Sequence, residues 1–395
     1  MSDANRSQIA YVEEVTPGTF PGTATMTKLR FTDESLNYNI EGITTNEIRS
    51  DRQPTDFIQT GRESVGGVNF ELSYGAFDEM FEGAMFSDWV GVGGGTTMTI
   101  TAAAGNYNFT LNATANTIAL GASVTHAILA GQWIELTGST ADDGYHFVTA
   151  LAATNTITVQ ALTTGEALAA TATIKGMRLR NGTTVHSYSM ERLLDDQDDY
   201  FSFKGMRVNT MTITATASSI LTGSFEFMGE ESLAATATLS GGAYTEAAAN
   251  DVMNAVSNVG EIMEGAGANL TALTGQYIQE LTFTINNNLR GVPAIGYAYN
   301  VDIGVGSLEV NGTMNLYYED LTIYNKFVNS TTSGISFKTE DEDGNAYIFT
   351  FPRVRFSGDT INASGKNTDV MENMTWAGLR QATYDYTVQI CKFTA

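Results

Sequence analysis

Apolar residues alternate with small or polar residues along much of the chain, and this pattern predicts β-strands. Residues 68–74 alternate as in a strand with one buried face, and residues 77–84 then follow with a helical spacing of apolar positions. The same order recurs later in the chain, with alternation over residues 314–318 and a helical spacing over residues 321–328. The two alternating segments are 244 residues apart.

A second match indicates that the chain contains two related halves. Residues 201–213 align without gaps with residues 349–361. The identical pairs are Phe201/Phe349, Phe203/Phe351, Arg207/Arg355, Thr212/Thr360 and Ile213/Ile361. Upstream, residues 29–32 match residues 281–284. Three blocks in the same order predict a duplication, and chance similarity among alternating strands is the alternative.

An insert accounts for the greater length of the first half. The glycine-rich residues 91–95 predict a flexible hinge, and Lys175 and Gly176 end the segment that follows. Its Thr- and Ala-rich alternation predicts short strands at residues 98–101, 107–111, 117–120, 132–136, 146–151 and 156–159. Closely spaced short strands are typical of a small β-barrel or sandwich, which a loop can accept at low cost.

The predicted fold is therefore mainly β, with two tandem β-sandwich modules that each have a flanking helix, and one inserted small β domain. The first module comprises residues 1–90 and 178–250, the insert comprises residues 91–177, and the second module comprises residues 251–395. The composition agrees with a globular β-rich chain, because 43% of the residues are hydrophobic, 16% are charged and 5 are proline.

The net charge of −24 narrows the classes of partner. It argues against gripping nucleic acid, because affinity for phosphates comes from Lys and Arg side chains that displace counterions. Two interpretations remain. The charge keeps the protein soluble by self-repulsion, or it forms a surface that repels a polyanion.

Several features bear on compartment and catalysis. The single cysteine, Cys391, excludes an internal disulfide framework, and we expect it to be packed rather than reactive. Residues 1–10 show no secretory signal pattern, and no apolar run approaches the roughly 20 residues that span a bilayer. His126, His146 and His186 have no metal-ligand spacing, and no nucleophile or phosphate-binding motif is present. We therefore predict no enzyme activity, no cofactor and no metal site.

The sequence resembles the tail tube proteins of long non-contractile-tailed, siphovirus-type bacteriophages. In the first half the resemblance lies in residues 6–16, 29–40, 46–59, 67–74 and 188–229. In the second half it lies in residues 281–289 (LTFTINNNL), 341–349 (DEDGNAYIF) and 351–356 (FPRVRF). It covers all of the chain except the insert, and its specificity lies in the order of these stretches.

The resemblance implies a structural subunit of the tail tube in the virion, made in the cytoplasm of the host bacterium. Its modules would close into barrels and stack as rings around a channel for DNA ejection. The implied partners are other copies of the chain, the tape measure protein and other tail proteins. Double-stranded DNA would pass through without specific binding, and no membrane is involved. With two modules in each chain, a homotrimer with pseudo-sixfold symmetry is expected, and a hexamer is the alternative.

Two groups of residues are candidate sites. Residues 46–61 are polar, and the resemblance implies an extended arm between rings that involves Arg49, Arg52, Asp56 and Arg62, with an ordinary solvated loop as the alternative. The acidic clusters include Asp195, Asp196, Asp198, Asp199, Asp341 and Asp343. For these clusters a solvated turn, a channel or inter-ring charge that repels DNA, and a bound cation are the alternatives.

Two other classes of function compete with the tube subunit. One is a β-rich binding module, such as an adhesin on a virion or cell surface, which would show exposed aromatic residues in a cleft. The other is a β-rich hydrolase, which would need two carboxylates that converge in a pocket.

Overall fold

The fold was analysed in a computed structural model that describes residues 3–22, 24–102, 109–241, 243–265, 270–273 and 275–395. The described residues are dominated by strands, so the prediction of a mainly β fold is confirmed. A short 3-10 helix at Ala4–Arg6 precedes the first strand. The elements before the insert are β1 (Ser7–Glu13), β2 (Met26–Leu29), β3 (Asp33–Glu34), β4 (Asn37–Thr44), β5 (Phe57–Glu71), α1 (Asp78–Met85) and β6 (Val90–Gly91).

In its described residues, the insert contributes seven short strands. They are β7 (Thr99–Thr101), β8 (Thr110–Asn112), β9 (Thr117–Ala119), β10 (Trp133–Thr137), β11 (Gly144–Ala153), β12 (Thr156–Val159) and β13 (Thr173–Lys175). These strands form a sheet of their own in the order β7-β13-β10-β11-β12-β9-β8. Each predicted strand of the insert has a counterpart here, although residues 107 and 108 of the second prediction lie outside the described residues.

The remaining elements follow the insert. They are β14 (Met177–Arg180), β15 (Tyr188–Leu194), β16 (Asp199–Thr216), β17 (Thr222–Gly229), β18 (Glu231–Ala235), β19 (Tyr244–Thr245), β20 (Val259–Glu264), β21 (Thr271–Ala272), β22 (Ile278–Asn286), β23 (Arg290–Val292), β24 (Asp302–Gly304), β25 (Glu309–Tyr317), α2 (Thr322–Val328), β26 (Thr332–Glu340), β27 (Ala346–Ala363), β28 (Val370–Gly378) and β29 (Gln389–Phe393). Both predicted helices are present, each shortly after an alternating strand.

One antiparallel sheet runs through both halves of the chain in the order β4-β5-β17-β16-β22-β25-β28-β27. We call these eight strands the central sheet. β3 pairs with β5 just beside β4. The two halves meet where β16 pairs with β22, in a register that runs from Thr210 opposite Asn286 to Thr216 opposite Glu280.

The long strands β16 and β27 each belong to two layers. The first part of β16 pairs with β15 and β18, and the first part of β27 pairs with β26 and β29. The core lies between these outer strands and the central sheet. For example, Phe283 of β22 lies 6.0 Å from Phe337 of β26 and 5.0 Å from Phe351 of β27, measured between ring centroids. Each half is thus a two-layered β arrangement.

Helix α1 fills the core at the meeting of the two halves. Its apolar residues recur at helical spacing, so Met80, Phe81 and Ala84 are fully buried. The Phe81 ring lies 6.0 Å from Phe225 in the first half and 5.7 Å from Tyr347 in the second. The helix therefore packs the two halves against each other.

The pairing irregularities repeat in the two halves. In its pairing with β17, β16 has a register shift between Val208 and Thr210, and in its pairing with β28, β27 has one between Phe356 and Gly358. These positions correspond in the alignment of residues 201–213 with residues 349–361. Because a bulge re-aims every side chain after it, a shared bulge indicates a shared strand geometry. β17 therefore corresponds to β28, and β5 corresponds to β25.

Two details of the predicted duplication differ from this correspondence. Phe225 of β17 corresponds to Met374 of β28, and they pair with Val68 and Met314 respectively. Met314 therefore corresponds to Val68, two residues from Phe70, its partner in the predicted alignment. Residues 29–32 include the end of β2, which pairs with β1, whereas residues 281–284 lie within β22, so the first matched block is wrong. The counterpart of β22 is the β3–β4 segment, since both lie beside the corresponding strands β5 and β25.

The glycine-rich residues 91–95 are not a flexible hinge. Gly91 donates its amide hydrogen to the Gly95 carbonyl at 2.7 Å and pairs with Met177 of β14, and Val92 is fully buried. The prediction was wrong because glycine also permits tight turns, and Gly94 and Gly95 have the positive φ angles of such a turn. The insert is also held to the second half by a 3.1 Å hydrogen bond from Trp133 Nε1 to Thr350 Oγ1.

Truncation of Phe283 tests the packing between the layers. We expect Phe283→Ala to lower the free energy of unfolding by about 3–5 kcal/mol, because the side chain is buried against three other aromatic rings. Thr284→Ala, on the opposite face of the same strand, should cost about 1 kcal/mol or less. Denaturant unfolding measures both, and equal losses would contradict this assignment of faces.

Candidate assembly surface

The central sheet has one apolar face and one polar face. The apolar face packs on the core and includes Met211, Ile213 and Phe283. The polar face carries Thr212, Thr214, Thr282, Thr284, Asn311, Thr313, Asn315, Asn373 and Thr375. Thr212 and Thr284 share a 3.0 Å hydrogen bond between their hydroxyls, and Thr214 and Thr282 share one of 3.1 Å. β-branched side chains suit such a pleated, half-covered surface.

Carboxylates are spread across this polar face. The cross-strand register shows that five carboxylates lie on this face: Asp33, Glu71, Glu226, Glu280 and Glu309. Glu280 accepts a hydrogen bond from the Thr216 hydroxyl at 3.3 Å. The face is therefore hydrophilic and carries negative charges.

The second part of β27 is an open edge of the central sheet. Its counterpart in β16 has a neighbour on each side, β17 and β22. Among the described residues, residues 358–363 of β27 pair with β28 alone. Ile213 is 1% exposed beneath Phe283, whereas its counterpart Ile361 is 38% exposed. The edge thus has the apolar surface and the backbone groups that another strand would cover.

The other open edge lies at the opposite end of the sheet. In the described part of the chain, β3 and β4 pair with β5 and leave their second edge without a strand. This segment is the counterpart of β22, and Leu36 takes the place of Phe283. The open edge of β27 is therefore the counterpart of β16, and the open edge of β3 and β4 is the counterpart of β22. Inside the chain, β16 and β22 pair with each other.

A pair of carboxyl groups lies beneath the open edge of β27. Glu372 is fully buried, and Asp359 on the next strand is its neighbour. All four of their carboxylate oxygens are buried. Burial, and then the neighbouring charge of Asp359, raise the pKa of Glu372 to about 7, and burial also raises the pKa of Asp359. Met211 and Gly223 are the counterparts of the pair, so the carboxyl groups belong to the second half alone.

A comparison with known protein families places this chain. A family model described as phage tail tube protein matches residues 4–378. The chain belongs to the phage tail tube protein family. The resemblance to phage tail tube proteins is therefore confirmed, and this tail tube protein is a structural component of the virion that assembles with itself and other tail proteins into a tube. No curated protein matches the chain.

The structure places the predicted arm of this tail tube protein in the β4–β5 hairpin. Arg49 and Asp51 form a 3.2 Å ion pair in the connecting loop, and Arg52 has a positive φ of 60°. Asp56 directly precedes β5, and Arg62 lies within that strand. All four predicted residues lie in this hairpin, and all four are exposed.

Exposed apolar residues are a feature of the hairpin that the sequence interpretation missed. More than half of each side chain is exposed at Ile40, Ile43, Ile48, Phe57 and Ile58. The corresponding loop of the second half, between β22 and β25, exposes Ile295 fully and Tyr297 by 60%. The sequence interpretation rested on the polar composition of residues 46–61 and on their arginines. The isoleucines and Phe57 of the same hairpin were the sequence signal for an apolar contact surface.

The acidic clusters lie in two corresponding hairpin turns. Asp195, Asp196 and Asp198 occupy the turn between β15 and β16, where Asp195 pairs with Arg6 at 2.5 Å, and Asp199 begins β16. The Asp196 carboxylate accepts a hydrogen bond from the Asp3 amide at 2.9 Å.

The second acidic turn lies between β26 and β27. Asp341 is buried, and its carboxylate accepts hydrogen bonds from the amides of Asp343 and Asn345 at 3.1 and 2.8 Å. Asp341 thus stabilises its turn. Neither turn is on the polar face of the central sheet.

Residues with catalytic potential have structural partners in this tail tube protein. Cys391 is fully buried, and burial raises the pKa of its thiol to about 11. His186 Nδ1 lies 2.6 Å from Glu13, while His126 and His146 contact backbone carbonyls. Across the described ranges, no group of three His, Cys, Asp or Glu side chains is placed to hold a metal ion. No helix within them is long and apolar enough to cross a membrane.

The Asp359–Glu372 pair makes a testable prediction about pH. The ordinary pKa of a glutamate is 4.5, and that of Glu372 in the folded chain is about 7. Between these values the folded state holds a proton that the unfolded state releases, so stability falls as the pH rises. Between pH 5 and 7.5, we expect the free energy of unfolding to fall by about 1–2 kcal/mol less in Glu372→Gln than in the unmodified chain.

Chemical unfolding at several pH values measures this difference. Glu226→Gln, which removes an exposed carboxylate from the polar face, should leave the pH profile of the unmodified chain unchanged. Parallel profiles for the unmodified chain and Glu372→Gln would contradict the assignment of the proton to this pair.

Proposed function

We propose that the protein forms the tail tube as rings of three chains, in which each chain supplies two modules and the ring has pseudo-sixfold symmetry. The observation that carries the proposal is the pairing of β16 with β22 inside one chain, combined with the two open edges that are their counterparts. An edge of each chain would pair with the opposite edge of the next, and three such contacts close a barrel without free edges. A ring of six chains is the alternative.

The proposed modules are residues 1–90 with 178–250, and residues 251–395. The shared bulges of β16 and β27 and the correspondence of β5 with β25 support this division. The insert, residues 91–177, forms a separate sheet in the described residues, and we propose that it lies on the outside of the tube.

The polar face of the central sheet would line the channel. The apolar face is already covered by α1 and the outer strands, so the polar face is the one left to face the interior of a closed barrel. Its carboxylates would repel DNA phosphates, so that double-stranded DNA slides through during ejection without specific binding. In this proposal the acidic hairpin turns serve the subunit fold, and no catalysis is involved.

The β4–β5 hairpin would act as the arm between stacked rings. Its exposed isoleucines and Phe57 would be covered by the adjacent ring, and Arg49 and Arg52 would pair with carboxylates there. The loop between β22 and β25 would supply a second arm for each chain. A siphovirus-type tail, with the tape measure protein inside the tube, is the proposed setting.

An engineered disulfide tests ring closure. Thr212 faces Thr284 within the chain, and their counterparts at the open edges are Thr360 and Asn37. In a chain with Thr360→Cys and Asn37→Cys, oxidation should link neighbouring copies, with a covalent trimer as the largest species on a denaturing gel. Cys391 is buried and should not interfere.

A control with Ile361→Cys and Asn37→Cys places the two thiols on opposite faces and should not be linked. A covalent hexamer as the largest species would favour six chains in each ring. The absence of any intermolecular link in assembled tubes would contradict edge-to-edge closure.

The arm is tested by Arg49→Ala combined with Arg52→Ala. We expect single rings to form while the mean tube length falls at least several-fold, because charged contacts between rings are lost. Negative-stain microscopy measures the lengths, and Arg380→Ala, which removes an exposed arginine paired with Asp385, is the control. Tubes of unchanged length would rule out a role of these arginines in stacking.

A further inference from the structure

The ion pair between Arg207 and Asp302 joins the two halves of the chain beside the central sheet. Arg207 of β16 donates from Nη2 to Asp302 Oδ1 at 2.9 Å, and from Nη1 to the carbonyl oxygen of Ile303. The Arg207 residue is 5% exposed. The guanidinium thus holds the base of the loop between β22 and β25 against the first half, just where β16 and β22 begin to pair.

Arg355 is the counterpart of Arg207. Each arginine directly precedes the bulge of its long strand, and the two positions are identical in the alignment of the halves. Their surroundings differ, because Arg355 is exposed and donates to Ser330 Oγ at 3.2 Å. Arg355 therefore has the position of Arg207 without the loop that covers Arg207.

Asp56 is the counterpart of Asp302. Asp302 lies seven residues before Glu309, and Asp56 lies seven residues before Glu63, its counterpart in β5. The local conformation is also shared. The Asp302 carboxylate accepts the Ile303 amide hydrogen at 2.7 Å, and the Asp56 carboxylate accepts that of Phe57 at 2.8 Å. Asp56 is exposed.

A single chain does not bring these two residues together along the sheet. Arg355 lies on the last strand of the central sheet and Asp56 lies beside its first two strands. Strands are spaced by about 4.8 Å, so the two ends of the sheet are on the order of 30 Å apart. A second copy that pairs its β3–β4 edge with β27 would carry its own Asp56 to Arg355.

We propose that Arg355 of one copy binds Asp56 of the neighbouring copy in the ring, and so repeats between chains the Arg207–Asp302 contact that each chain makes internally. This inference rests on the proposed ring. It names the residue pair that closes the ring and assigns Asp56 to contacts within a ring rather than between rings. The ordinary fold of the subunit does not need the contact, since both residues are exposed in the single chain.

Charge reversal tests the pair. Arg355→Glu alone and Asp56→Arg alone should each raise the protein concentration needed for ring formation about tenfold or more, because each places like charges together at the contact. The double variant, Arg355→Glu with Asp56→Arg, should recover most of the loss. Arg353, two residues earlier on the same strand, donates to the carbonyl oxygen of Arg380 in its own chain. Arg353→Glu therefore serves as the matched control.

Sedimentation velocity over a concentration series measures ring formation, and thermal unfolding of each variant checks the subunit fold. Two single variants that assemble as well as the unmodified chain would overturn the proposed pair while the ring proposal stands. Single losses without recovery in a normally folded double variant would overturn it as well. A failure of the unmodified chain to form rings at any concentration would reject the proposed function itself, and the pair with it.

Discussion

The backbone pairing of β16 with β22 is the contact on which the remaining organisation depends. It joins seven residues of each strand and makes one eight-stranded sheet from two halves. Threonine hydroxyls bond across the junction on one face, and Ile213 packs opposite Phe283 on the other. Helix α1 strengthens the same junction, because Asp78 at its start accepts hydrogen bonds from Tyr347 at 2.6 Å and Lys392 at 2.8 Å.

The same junction explains why the chain has a surface for further copies. A duplicated unit that pairs head to tail satisfies one pair of edges and leaves the corresponding pair open at its ends. Ile361 and the β3–β4 segment are exposed for this reason, while Ile213 and β22 are covered. The open edge is not a plain copy of the closed one, since Asp359 and Glu372 replace Met211 and Gly223. The two carboxyl groups make the open edge of β27 less apolar than the corresponding surface at β16. This limits the pairing of the edge with strands of unrelated proteins.

The sequence predicted the features that depend on local patterns. Alternation and helical spacing identified the strands around Phe70 and Met314 and the helix after each. The identical residues at corresponding positions of the long strands β16 and β27 identified the repeat. Register was less accessible, because a two-residue shift preserves the face of a strand and leaves its alternation unchanged. The match of residues 29–32 was misleading because short alternating stretches recur in any β-protein.

The candidate surface was harder to predict than the fold. Open edges and the Asp359–Glu372 pair result from pairing between distant segments, and the sequence alone does not show which strand lacks a neighbour. The glycine-rich turn at residues 91–95 shows the same difficulty, since glycine suits both a flexible linker and a tight, hydrogen-bonded turn. The two acidic clusters were visible, but their role in corresponding turns needed the alignment of the whole strands.

The number of chains in each ring tests the central claim most directly. Electron cryomicroscopy of tubes assembled from the purified protein, reconstructed without imposed sixfold symmetry, would show it. The account predicts three chains around the channel, each with eight neighbouring strands in the inner barrel and with β27 paired to the next chain. Six chains in each ring, or a second half that does not reach the channel wall, would contradict it.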